Sequence, residues 1–122
     1  MNYIDIISGI FAFFGENKEF TTERIRIHNA FYKLANEKEF KILFTDITFS
    51  TSEEYHKSIE IDQCINNLII SRLITANNPD LVKYKIPSGF SKYYQANEKK
   101  IFSDYSELIK KMSTNLYSLV GK

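Results

Sequence analysis

The chain has 122 residues, of which 43% are hydrophobic and 15% aromatic, and its 16 basic residues nearly balance its 15 acidic ones. This length predicts a single domain over residues 1–122, which buries roughly two-thirds of its unfolded surface and needs no disulfide or metal to fold. The apolar content excludes a disordered protein. With a net charge of +1, the chain lacks the surplus of basic residues that is typical of dedicated nucleic-acid binders.

The N-terminal sequence MNYIDIISGIFAFFG is apolar but has the features of neither a signal peptide nor a membrane span. No Lys or Arg precedes the apolar stretch, Asp5 interrupts it, and it is too short to cross a bilayer. The single cysteine, Cys64, excludes an intramolecular disulfide and is typical of a reducing compartment. We therefore expect a cytoplasmic protein, and its many Ile, Lys and Asn residues indicate a bacterial or phage genome rich in A·T pairs.

Two helices are predicted in the N-terminal part of the chain. Residues 2–14 are apolar on almost every side, so this helix either threads the middle of the domain or is partly covered by a second chain. Residues 22–37 predict the second helix, which Thr21 or Thr22 can cap. Its core stripe consists of Ile27, Phe31 and Leu34.

The clearest helical pattern begins at Ser58. Apolar residues recur there at i, i+3, i+4, i+7 and i+8, and they predict a buried face of Ile61, Cys64, Ile65, Leu68 and Ile69. Before this helix, residues 40–49 fit either a helical turn at 40–44 or a strand near 45–49. Thr51 and Glu54 have the spacing of a capping box.

A hairpin and two further helices are expected after residue 72. NNPD at 77–80 is a strong turn signal, and LVKYKIP at 81–87 alternates apolar and basic residues, so 81–87 should pair back onto 73–76. Residues 88–100 predict a helix or helical loop, and Ser103 is expected to cap a last helix at about 104–120. The fold class is therefore α+β and mostly helical, with four to five helices and a two-stranded hairpin.

The helix and hairpin over residues 58–86 resemble the second half of a winged-helix domain. The resemblance depends on a pattern rather than on signature residues: a helix with apolar periodicity, the exit SRLIT, a turn and a strand. The sequence departs from the winged-helix pattern at Arg72, where a helix-ending glycine is common. The resemblance implies a winged-helix-like fold, in which the outward face of the helix would be the one to enter the major groove of DNA.

The charges of this unit disfavour DNA as the partner. The residues expected to face a partner or DNA are Glu60, Asp62, Gln63, Asn66, Asn67, Arg72, Lys83 and Lys85. The two carboxylates at the start of the helix would repel phosphates, and few cations oppose them. The amide side chains could bond to adenine edges. We therefore expect a protein partner or a homo-oligomer, with DNA as the disfavoured alternative and no membrane contact.

No motif predicts an active site, a metal site or a cofactor. His28, His56 and Cys64 lack the spacing of metal ligands, and Cys64 belongs to the core face, where a thiol is expected to be inert. The four glycines are isolated, so there is no glycine-rich phosphate loop. A metal-dependent enzyme that uses His28 and His56 is the weakest of the functional alternatives.

Aromatic and basic residues are interleaved between residues 83 and 105. They could form a stacking surface for single-stranded nucleic acid, but we favour packing of the rings between the hairpin and the last helix. Surplus apolar residues in 2–14 and 104–120 predict an intermolecular contact at one of these helices. The favoured function is a small non-catalytic interaction, accessory or regulatory module, and the alternative is a winged-helix DNA-binding regulator that could dimerise through 104–120.

Overall fold

A computed structural model describes residues 2–51, 54–76 and 83–121 of the chain. Within these ranges the helices are α1 (Tyr3–Ala12), α2 (Arg24–Ala35), α3 (Ile59–Ile70), α4 (Ser88–Phe102) and α5 (Ser106–Val120). Short 3-10 helices span Lys38–Phe44 and Ser103–Tyr105, and the two strands are β1 (Glu19–Thr21) and β2 (Lys83–Lys85). This confirms the predicted fold class, which is mostly helical α+β with a two-stranded antiparallel element.

Helix α1 lies at the centre of the fold. It contacts α3, α4, α5 and the first 3-10 helix, and its residues from Ile6 to Ala12 are buried. The Asn2 side chain caps it by accepting the backbone N–H of Asp5. At Gly9 an added Cβ would come within 2.3 Å of the Phe102 ring, so only glycine lets α4 approach this closely. Helix α1 therefore threads the middle of the domain and needs no second chain to cover it.

Helices α2 and α5 pack against each other and against the central helix. The predicted stripe of α2 is buried, but the N-cap residue is Glu23 rather than the predicted Thr21 or Thr22. The Oγ1 of Thr21 accepts the N–H of Glu23 just before the helix begins. Helix α5 is tied to α1 by the hydroxyl of Ser113, which donates to the carbonyl of Ile10 at 2.6 Å. The apolar stripe of α5 also faces the core, so an intermolecular contact is not required to cover it. Its buried apolar residues are Ile109, Met112, Leu116 and Val120.

The predicted cap of the last helix is wrong. Ser103 has a φ of 51°, is the C-cap of α4 and begins the 3-10 helix Ser103–Tyr105, after which α5 begins at Ser106. Glu98 instead stabilises the connection between α4 and α5. Its carboxylate accepts a hydrogen bond from the hydroxyl of Ser106 and forms an ion pair with the Lys110 ammonium at 2.8 Å. The contacts between the two helices therefore decide where α5 starts.

Strand β2 pairs mainly with β1, a partner that the sequence did not indicate. The antiparallel register places Phe20 opposite Tyr84, and their rings lie 5.4 Å apart. On its other side β2 forms one bridge with the predicted partner segment, through two backbone hydrogen bonds between Thr75 and Lys85. The turn predicted at 77–80 lies outside the described residues.

Two other local expectations have different outcomes. The helical alternative for residues 40–44 is confirmed by the 3-10 helix, whereas residues 45–49, all of them described, belong to no strand. The capping box from Thr51 to Glu54 spans residues 52 and 53, which lie outside the described part of the chain.

Candidate interaction surface

Helix α3 carries most of the residues that the sequence predicts to face a partner, but one of its two acids, Glu60, bonds to the loop before the helix. The Glu60 carboxylate accepts the backbone N–H of Thr48 at 3.0 Å and the Thr48 hydroxyl at 3.1 Å. It also accepts the hydroxyl of Ser58, whose Oγ in turn accepts the N–H of Ile61 at the start of α3. These bonds to the charged form lower the pKa of Glu60 against burial, which would raise it. Glu60 therefore stays ionised and anchors the preceding loop to the helix start.

Asp62, the second acid, belongs to a polar network between α2, α3 and β2. The Arg24 guanidinium contacts its carboxylate at 2.6 Å, donates to the Asn66 amide oxygen at 2.9 Å and reaches the Tyr84 hydroxyl at 3.3 Å. On the other side of the same carboxylate oxygen lies Nε2 of His28, at 3.2 Å. We call these five residues the Arg24–Asp62 network. Four of them come from two helical pairs with i, i+4 spacing.

His28 is fully buried within this network, and its hydrogen bonds fix its tautomer. The backbone N–H of Ser58 donates to Nδ1 at 3.0 Å, so Nδ1 must be unprotonated and Nε2 carries the hydrogen that it donates to Asp62. Burial lowers the pKa of the imidazole, and the nearby Arg24 cation also lowers it, against the opposing effect of the Asp62 carboxylate. His28 is therefore a neutral structural link and has no free nitrogen for a metal or a substrate.

The remaining exposed face of α3 carries no charge. It consists of a stripe that we call the α3 stripe, made of Ile59, Gln63, Asn66 and Ile70. Ile59 is 61% exposed and Ile70 is 78% exposed, the highest value among the large hydrophobic residues described. Asn67 flanks the stripe and is also exposed. The α3 stripe therefore has an apolar residue at each end and two uncharged amides between them.

Arg72, just past α3, occupies the backbone position at which a glycine would be expected. Its φ is 61°, in the left-handed region, and its N–H bonds to the carbonyl of Ile69. The N–H of Leu73 bonds to the carbonyl of Leu68, which completes a Schellman motif at the helix end. The side chain of Arg72 is exposed. Lys83 and Lys85, by contrast, lie half-buried on β2.

A shallow apolar groove of about 230 Å³ adjoins α3 where it meets α1 and α4. Its described lining is uncharged and comprises Ile4, Ser8, Cys64, Asn67, Leu68, Ser71, Leu73 and Tyr94. The volume is below the range of about 300–1,000 Å³ that holds small-molecule ligands. The groove therefore suits one or two side chains of another protein better than a cofactor.

Cys64 lies in the wall of this groove but remains buried. Burial raises the pKa of its thiol to about 11, and the negative charge of Asp5 raises it as well.

His56 is held on a different part of the structure, stacked on the Tyr32 ring with the centroids 3.7 Å apart. No group of three or more metal-binding side chains occurs among the described residues. None of the described helices is long and apolar enough to cross a bilayer.

Most aromatic rings between residues 83 and 105 are used in packing. Those of Tyr84, Phe90, Tyr94 and Phe102 are buried, and only Tyr93 and Tyr105 of the predicted group are exposed. Tyr94, in the middle of α4, stacks on Phe102 at its end with the centroids 5.9 Å apart. A continuous stacking platform for single-stranded nucleic acid is therefore absent from this described segment.

Comparison with known proteins gave no match: no protein-family model, no curated protein and no solved structure is similar to the chain.

Proposed function

We propose that the chain is a small non-catalytic module that binds a protein partner through the outer face of α3. In this role it would serve as an accessory or regulatory subunit in the cytoplasm of a bacterium or of a phage-infected cell. The observation that carries the proposal is the α3 stripe, in which two strongly exposed isoleucines flank uncharged amides.

The chemistry of the stripe is that of an interface core. Single exposed apolar residues are common on protein surfaces, but Ile59 and Ile70 lie on one line of one helix. Charged residues are depleted in the buried centre of protein interfaces. Here both acids of α3 are already bonded within their own chain, Glu60 to Thr48 and Asp62 to Arg24. A partner can therefore cover the stripe without desolvating an unpaired charge.

A DNA-binding regulator is the second candidate, and the pairing of Thr75 with Lys85 after α3 supports it. That pairing is the kind of helix-to-hairpin connection on which the winged-helix resemblance depends. The amides of Gln63, Asn66 and Asn67 could contact adenine edges. The Arg24–Asp62 pair also makes the helix start less repulsive to phosphates than the sequence suggested. Phosphate affinity nevertheless depends on free cations, and the α3 stripe has none.

Site-specific photo-crosslinking in the host cell would test the proposed function. A photoreactive benzoyl-phenylalanine would replace Gln63 in one variant and Lys41 in the control, because Lys41 is also exposed but lies on the first 3-10 helix. We expect a discrete protein adduct from position 63 and not from position 41. Adducts with nucleic acid from position 63 would favour the second candidate. The absence of any adduct, or the same adducts from both positions, would contradict the proposal.

A further inference from the structure

We infer that the α3 stripe binds the α3 stripe of a second copy of this chain, with the two helices antiparallel. This inference rests on the proposed function and names its partner. It is carried by the order of side chains along the stripe, by the hydrogen bond that orients Asn66, and by the charges at the two ends of the helix.

The order of apolar and amide side chains along the stripe is the same when it is read in either direction. Its four residues, Ile59, Gln63, Asn66 and Ile70, follow each other at intervals of four, three and four, which is the spacing of the contact positions in paired helices. An antiparallel copy places Ile59 against Ile70 and Gln63 against Asn66. A two-fold axis between the amides then repeats each contact, as a symmetric dimer requires.

Asn66 is oriented for such a contact by its own chain. The Arg24 guanidinium donates to the Asn66 amide oxygen at 2.9 Å, so the amide nitrogen is the group left to point outward as a donor. Gln63 is exposed and carries an amide oxygen that can accept it. The two-fold axis produces two such bonds, so both amides of each copy have a partner in the centre of the interface.

The charges at the ends of α3 favour the antiparallel arrangement over the parallel one. Glu60 lies at the start of the helix and Arg72 just past its end. Antiparallel packing brings the acid of one copy near the base of the other, whereas parallel packing brings like charges together. The helix dipoles are also opposed in the antiparallel pair. Lys57 lies at the same end as Glu60, where its positive charge lowers the pKa of the buried His28 and partly offsets the attraction between Glu60 and Arg72.

The expected association is weak, because one face of a three-turn helix falls short of the roughly 1,200–2,000 Å² buried in standard interfaces. We therefore expect a Kd on the order of 100 µM. Sedimentation of the purified chain between about 10 µM and about 1 mM, a range chosen around that Kd, would reveal a monomer–dimer equilibrium. Ile70→Glu should raise the Kd at least tenfold. The same change at another half-exposed isoleucine, Ile42→Glu, should leave it unchanged.

Disulfide trapping would test the direction of the helices. In a Cys64→Ala background, size-tagged Ile59→Cys protein is mixed with untagged Ile70→Cys protein under mild oxidation. We expect the mixed disulfide to form faster than either homodisulfide. Dominant homodisulfides would refute the antiparallel geometry, and rates no higher than those of an Ile42→Cys control would refute the dimer. A monomer at every concentration, together with a foreign protein crosslinked to position 63 in cells, would refute this inference but would not contradict the proposed function.

Discussion

Replacing His28 with asparagine is expected to change how the stability of the fold depends on pH. His28 is fully buried, accepts the N–H of Ser58 and donates to the carboxylate of Asp62. The imidazole can do both only when it is neutral, since a proton on Nδ1 removes the acceptor that Ser58 needs. Asparagine keeps an acceptor near the Nδ1 position, does not titrate and is too short to reach Asp62.

The sign and size of the effect follow from the lowered pKa of His28. Below about pH 6.5 the unfolded chain binds a proton that the folded protein resists, so the free energy of unfolding falls as the solution becomes more acidic. One proton corresponds to a slope of at most about 1.4 kcal/mol per pH unit. At neutral pH, by contrast, the variant should be less stable by about 1.5–3 kcal/mol, the value of a hydrogen bond to a charged group.

Urea denaturation of both proteins between about pH 8 and about pH 5, across the range in which histidine titrates, would measure this difference. The stability gap between wild type and His28→Asn should be largest at the alkaline end and shrink below pH 6.5. The lowered pKa of Asp62 adds a loss only at more acidic pH, below the ordinary carboxyl value. Two parallel curves would refute the role assigned to His28.

Three further predictions concern other positions. A thiol reagent should label Cys64 slowly in the native protein and quickly in the unfolded one, because the thiol is buried and its pKa is raised to about 11; equal rates would contradict this placement. Arg72→Gly should raise the free energy of unfolding by about 0.5–1 kcal/mol, because glycine adopts the positive φ without strain. Arg72→Ala, which keeps the strain, should give no gain in the same denaturation assay. Selection from random DNA duplexes at physiological salt should yield no motif bound more tightly than the micromolar range; a defined motif bound at nanomolar affinity would overturn the electrostatic reasoning.

Helices are the part of this fold that local sequence determines best. The apolar spacing from Ile61 and the cap at Ser58 both act within a few residues, and the structure has both features. The sequence does not predict strand β1, because the strand is three residues long and its pairing depends on a partner more than sixty residues away. Ser103 was misassigned for a related reason: its side chain suits a cap, but the packing of α5 on α4 sets the helix boundary.

The Arg24–Asp62 network could have been anticipated only in part. Arg24 and His28 share one face of α2, and Asp62 and Asn66 share one face of α3, and both pairs are visible as i, i+4 spacings. Nothing in the sequence indicates that the two faces meet, since the contact joins residues 34 to 42 positions apart. Asp62 was therefore expected to face a partner, whereas it faces its own chain. What remains outward on α3 is the uncharged stripe.

The methyl groups of isoleucine offer the most direct measurement of the central claim, which is that the α3 stripe contacts protein. The chain would be labelled with carbon-13 at its isoleucine methyls, with Ile59 and Ile70 as reporters on the stripe and Ile25 and Ile42 as exposed controls elsewhere. Raising the concentration of the chain itself, or adding a nucleic-acid-free protein fraction from the host, should broaden or shift the signals of Ile59 and Ile70 and leave those of the controls unchanged. Host DNA fragments should change none of them. Shifts of Ile59 and Ile70 with DNA alone, or no preference for the stripe with protein, would contradict the account.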